Sequence, residues 1–129
     1  MVQLMSAIAA VSDVLVLCVR GRMKSSADEI VERACKECSS SLNLSHLDIA
    51  VVPIKLRDAR HLVSLQLNNN RLMMPPEEVG ELDQLRELSL DHNSLTILPS
   101  SLFRLTHLTS LNISYNLLGN WLHCVREFC

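Results

Sequence analysis

Aromatic side chains make up only 3% of this chain, one Trp, one Tyr and two Phe, so any core it builds must be aliphatic. Glycine is nearly as scarce, and Gly21, Gly80 and Gly119 never cluster into a phosphate-cradling loop. Charge is close to balanced, at -2 with a pI near 6.2. That excludes the basic surface a nucleic-acid partner requires, and no long run of one sign points to any other class of partner. Neither a nucleophile elbow nor an HExxH metal motif is present. No catalytic set, cofactor or metal is therefore expected. Cysteine is not rare, but Cys18, Cys35, Cys38, Cys124 and Cys129 all lie outside the segment from Ser39 to Asn120. An odd count fits poorly with a closed disulfide framework, so reduced thiols in a reducing compartment are expected.

What the sequence does have is leucine, in register. At 129 residues and 48% hydrophobic, the chain supports one domain or a fragment of one. Leu62, Leu85 and Leu108 align, as do Leu65, Leu88 and Leu111, and Leu67, Leu90 and Ile113. Asn70, Asn93 and Asn116 follow, then Leu72, Leu95 and Leu118. Pro76 matches Pro99, Val79 matches Leu102, and Leu82 matches Leu105. The period is 23 residues (85 minus 62). One period earlier, Leu42, Leu44, Ile49, Pro53 and Leu56 form a weaker copy, with Ser39 for the first leucine and Leu47 for the asparagine.

These positions spell LxxLxLxxNxL, and from Leu42 to Leu118 the chain resembles the leucine-rich-repeat superfamily. The stretches MMPPEEVGELDQ and TILPSSLFRLTH are similar to the short intracellular subclass that includes Ras-suppressor and Scribble-type scaffold proteins. The resemblance implies an α/β leucine-rich-repeat solenoid, a short curved array with parallel strands on the concave face and an irregular or short helical convex side. The expected organisation is an apolar segment over 1–24, a capping helix over 25–38 and repeats over 39–119. These divide as 39–61, 62–84, 85–107 and a partial 108–119, and 120–129 form a short C-terminal cap or a truncated end.

The residues give physical reasons for that layout. In LxL the two leucines lie on one side of a strand and the residue between them on the other. Each asparagine sits where the backbone bends away, and its amide both donates and accepts, so it satisfies groups stripped of strand partners. Pro53, Pro76 and Pro99 suit the turn onto the convex side, since proline lacks a donor for a ladder. Glu77–Leu82 and Ser101–Leu105 suit about one helical turn each. Repeats contact mainly their neighbours, so the ends need covers. Ser26-Ala-Asp-Glu29 reads as a capping box. It opens a helix with Ile30, Ala34 and Cys38 on one face, and Val31 and Cys35 beside them. Asn120 begins a candidate cap carrying Trp121, Val125 and Phe128.

Residues 1–19 are almost wholly apolar. A membrane span would place Asp13 near its centre, at about 2.5–3.5 kcal/mol. A signal peptide would need positive charge ahead of the apolar stretch, whereas Arg20, Arg22 and Lys24 follow it. The preferred reading is a soluble helix with a narrow polar stripe of Gln3, Ser6, Asp13 and Arg20. Membrane association through 1–19 remains the alternative.

Three motifs have blander readings that prevail. Cys35-Lys-Glu-Cys38 ends a helix rather than opening one after a strand, and two further zinc ligands at sensible spacing are lacking. Asn43-Leu-Ser45 and Asn112-Ile-Ser114 match the glycosylation acceptor, but the repeat pattern itself produces that spelling, and neither is expected to be modified. Asp91 and His92 are neighbours at variable positions of the repeat.

The resemblance implies a protein-binding module, an intracellular scaffold or adaptor, with a secreted or membrane-displayed recognition domain as the alternative. Its binding surface would be the concave face. Strand alternation assigns to that face Ser64, Gln66, Asn68 and Asn69; then Glu87, Ser89, Asp91 and His92; then Ser110, Asn112, Ser114 and Tyr115. The first repeat adds Ser41, Asn43, Ser45 and His46. One column reads His46, Asn69, His92, Tyr115, and Tyr115 is the only aromatic on the face.

Overall fold

A computed structural model describes residues 25–74, 76–98 and 100–119. The expectations for 1–24 and for the cap over 120–129 lie outside the described residues, as does Pro99.

The described chain opens with helix α1 (Ser26–Glu37). Its cap is Ser25, one residue before the expected one. The Ser25 hydroxyl accepts from the Asp28 amide at 3.2 Å, while the Asp28 carboxylate accepts from the Ser25 amide at 2.9 Å. Both Ser25–Asp28 and Ser26–Glu29 have box spacing, and the former closes. That register buries Ala27, Val31 and Ala34, with Ile30 and Cys35 half-buried beside them. Cys38 does not join this face. It ends the helix in the left-handed region (φ 51°), and its amide donates to the Ala34 carbonyl.

Four strands follow: β1 (Ser41–Asn43), β2 (Ser64–Gln66), β3 (Glu87–Ser89) and β4 (Ser110–Asn112). They form one parallel sheet in chain order. Leu42 stands against Leu65, Leu65 against Leu88, and Leu88 against Leu111. Between strands the chain returns through short 3-10 helices, η1 (Ile54–Asp58), η2 (Glu77–Glu81) and η3 (Ser100–Arg104). Pro53 and Pro76 stand immediately before η1 and η2, at the turn where a missing amide donor is harmless.

The core lies between sheet and 3-10 layer and is mostly leucine, with Ala, Val and Ile filling the rest. Leu65, Leu67, Leu72, Leu82, Leu85, Leu88, Leu90 and Leu95 are all at most 1% exposed. Each such burial stabilises by about 1.5–3 kcal/mol, so leucine packing is the dominant favourable term. At the N-terminal end α1 covers the first repeat. Glu32 pairs with Lys55 of η1, which raises the Lys55 pKa through that hydrogen bond, and the His61 ring reaches the Ala34 carbonyl at 3.3 Å. In the fourth repeat Leu108, Leu111 and Ile113 are only half-buried, because no further repeat stands against them among the described residues.

The 3-10 layer is tightest where η2 meets η3. A Cβ on Gly80 would lie 2.5 Å from the Ser101 Cβ and 3.0 Å from its carbonyl. Glycine is required there by proximity, not by backbone angle.

Candidate functional site

The sheet's outer face is built by the same alternation that builds the core. The residues on either side of each central strand leucine point away from it, giving buried centres at Leu65 and Leu88, a half-buried one at Leu111, and exposed or half-exposed flanks at Ser64, Gln66, Glu87, Ser89, Ser110 and Asn112. Beyond the strands, inter-repeat hydrogen bonding continues through the next residues. Leu67 donates to Ser89, Asn69 to Asp91, Leu90 to Asn112 and His92 to Ser114, at 2.7–3.1 Å. The face therefore extends past each strand onto a fixed turn.

The asparagines hold that turn. Asn93 accepts from the Leu72 amide at 3.1 Å and donates to the Leu67 and Leu90 carbonyls at 3.0 and 2.9 Å. Asn116 repeats the pattern on Leu95, Leu90 and Ile113. Asn70 does more, accepting from both Leu47 and Ile49 and donating to Leu44 and Leu67. Each asparagine thus reaches back into the preceding repeat. The first repeat has α1 behind it instead, which is why Leu47 serves at that position. These amides are consumed by the backbone and contribute nothing to a binding surface.

The residue before each ladder position adopts a left-handed backbone: His46 (φ 57°), Asn69 (56°), His92 (53°) and Tyr115 (54°). Asparagine and histidine are enriched among the non-glycine residues that adopt this region, whereas a bulky residue such as tyrosine is an outlier in it. The surrounding hydrogen bonds over-determine the conformation, the condition under which such strain persists. The outcome is a column of side chains displayed at the edge of the face. Within it the His92 and Tyr115 rings stack, with centroids 4.3 Å apart and planes 22° from parallel. The Asp91 carboxylate lies 2.9 Å from His92 Nδ1. Tyr115 is 76% exposed. Three of the expected face residues, from two repeats, thus form one oriented cluster.

The others remain separate. Asn68 and Asn69 are half-buried by the turn, and Glu87 and Gln66 are solvated. Asn43 and Asn112 each accept from the amide and hydroxyl of the serine two residues on, Ser45 and Ser114, which fixes both side chains in the open. The spacing of the sequence places every one of these residues on the face. It gives no sign of the left-handed column or of the ring stack.

Elsewhere the chemistry is sparse. Cys35 and Cys38 are free thiols, one half-buried and one exposed, and burial pushes the Cys35 pKa up. Among the described residues no group of three or more His, Cys, Asp or Glu is placed to hold a metal. No described helix is long and apolar enough to cross a membrane. On the side opposite the sheet, Arg60 and Arg104 flank Glu81 at 3.6 and 3.8 Å, so the charges of that groove largely answer one another.

Residues 60–118 match the family model described as leucine rich repeat. Among solved structures, a leucine-rich-repeat protein of Leptospira interrogans is similar, with 35% identity and a TM-score of 0.57. That match covers 58% of this chain and 19% of the other, so it concerns a minor part of the larger protein. No curated protein matches the chain.

Proposed function

We propose that this leucine-rich-repeat array is a non-catalytic protein-binding module, working inside the cell as a scaffold or adaptor of the Ras-suppressor and Scribble-like type. Leucine-rich repeats generally bind other proteins. The finer reading rests above all on the Asp91–His92–Tyr115 cluster. Tyrosine is enriched among residues that dominate binding energy. Here its ring is already stacked and its backbone already constrained, so less ordering remains to oppose association. Glu87, Ser89, Asn112 and Ser114 surround it with solvated polar groups, the usual rim of an interface. A standard interface buries roughly 800 Å² per partner, and the partner is expected to span the second to fourth repeats.

The intracellular part of the reading is supported by the thiols, since Cys35 and Cys38 are unpaired. A secreted or displayed module is the second reading, favoured by one observation: both sequon asparagines, Asn43 and Asn112, are exposed.

The test is affinity capture from cells by the full chain, with His92→Ala/Tyr115→Ala compared against Arg57→Ala, an exposed residue of η1 away from the sheet face. Partners lost from the double variant and retained by Arg57→Ala support the face. A partner set unchanged by the double variant refutes it.

A further inference from the structure

A second surface lies apart from the sheet face. Val51, Met74 and Ile97 occupy the same position in three successive repeats, between the asparagine turn and the 3-10 layer. They are 83%, 68% and 53% exposed. Ile54 and Met73 beside them are exposed as well. Isolated surface hydrophobics are ordinary, but a column in register makes a continuous apolar strip of the kind that marks an interaction site.

The strip's shape limits its occupant. Five side chains fall well short of the roughly 20–30 residues a side that a folded partner uses, so one narrow segment suits it better than a second copy. Parallel strands repeat about every 4.8 Å and an α-helix advances about 5.4 Å per turn. A helix laid across the repeats would therefore meet one strip residue per turn.

The chain carries such a segment. At helical spacing Leu4, Ile8, Val11, Leu15 and Cys18 fall on one ridge, opposite the polar stripe of Gln3, Ser6, Asp13 and Arg20. Its tether ends in the right place. Helix α1 packs against η1 through the Glu32–Lys55 pair, and η1 opens at Ile54, so the segment ahead of Ser25 joins the array at the end where Val51 and Ile54 begin the strip. The five residues Arg20–Lys24 extend at most about 17 Å.

We propose that residues 1–19 dock as a helix along the Val51–Met74–Ile97 strip of the same chain. The apolar N-terminus then serves as a side wall of the solenoid, not as a membrane element, and it leaves the sheet face free.

Hydrogen–deuterium exchange on the full chain tests this. Amides of residues 4–18 should be protected to the same degree across a wide dilution series. In Val51→Lys/Met74→Lys/Ile97→Lys they should exchange at least about tenfold faster, while the β2 and β3 amides keep their protection and report an intact fold. Ile8→Asp/Val11→Asp should release the segment equally with the strip unaltered. The proposal is overturned if residues 4–18 exchange freely in the unmodified chain, or if protection survives both variants. Protection that falls on dilution would assign the strip to a second copy. Protection that arises only with phosphatidylcholine vesicles would assign the segment to a bilayer. Either result overturns the intramolecular docking.

Discussion

Replacing the ladder asparagines one at a time should reveal a gradient along the array. In Asn93→Ala, the Leu72 amide loses its only side-chain acceptor. The Leu67 and Leu90 carbonyls each keep one donor, because Asn70 and Asn116 also bond to them. One orphaned buried donor costs about 1–3 kcal/mol and each weakened acceptor less, which sums to about 2–4 kcal/mol. Asn70→Ala removes more. The Leu47 and Ile49 amides both lose their acceptor, and the Leu44 carbonyl loses its asparagine donor, with no asparagine at position 47 to replace it. About 3–5 kcal/mol is expected from the same reasoning. Asn116 sits in the half-buried last repeat, where water can reach the freed groups, so Asn116→Ala should be the mildest. Urea titration followed by far-UV circular dichroism reads the series. With a slope of about 1.5 kcal/mol/M, a loss of about 3 kcal/mol moves the midpoint by roughly 2 M. The exposed Gln66→Ala should stay within about 0.5 kcal/mol. Equal midpoints for Asn70→Ala and Gln66→Ala, or Asn116→Ala as the most damaging change, would refute the reasoning.

Other perturbations reach other parts of the molecule. Gly80→Ala should destabilise by about 1–3 kcal/mol in a thermal melt, since the new methyl meets the Ser101 Cβ at 2.5 Å. Ser101→Ala should be neutral or stabilising by up to about 1 kcal/mol, because its buried hydroxyl has no hydrogen-bond partner among the described residues. Timed alkylation at pH 8 with mass spectrometry should modify Cys38 well before Cys35. Cys35 is half-buried, and its raised pKa keeps it in the unreactive thiol form. The intact mass of the chain made in eukaryotic cells should carry no glycan and should accept five alkyl groups, one per cysteine. Glycan at Asn43 or Asn112 would favour the displayed reading over the intracellular one.

The sheet was legible because leucine at fixed offsets leaves one register open to it. A one-residue slip would turn Leu65 and Leu67 to solvent. The asparagine ladder was legible because a residue able to donate and accept recurs at the bend. The helix start was legible only to within a residue, since two serines and two acids offer two overlapping boxes. Cys38 was misplaced on the helix face because helical periodicity carries no mark of where a left-handed cap interrupts it. The ring stack was hidden because two neighbouring letters in a column, His92 and Tyr115, say nothing of ring angle. Gly80 looked like an ordinary glycine, because its neighbour Ser101 lies in the following 3-10 helix. The apolar strip recurs at the repeat period through Val51, Met74 and Ile97, but periodicity alone does not separate these exposed positions from the buried leucine columns.

The asparagine bonds that join one repeat to the next link residues 21 to 26 positions apart, and every strand lies beside its sequence neighbour. During synthesis, at roughly 5–20 residues per second, each repeat finds its support within a few seconds of leaving the ribosome. β1 pairs with β2, and the Leu44 amide and carbonyl bond to Gln66 and Asn70 of the next repeat. No stretch of leucines has to wait for a distant part of the chain before it is sheltered, so this is a protein that can be completed row by row as it is made.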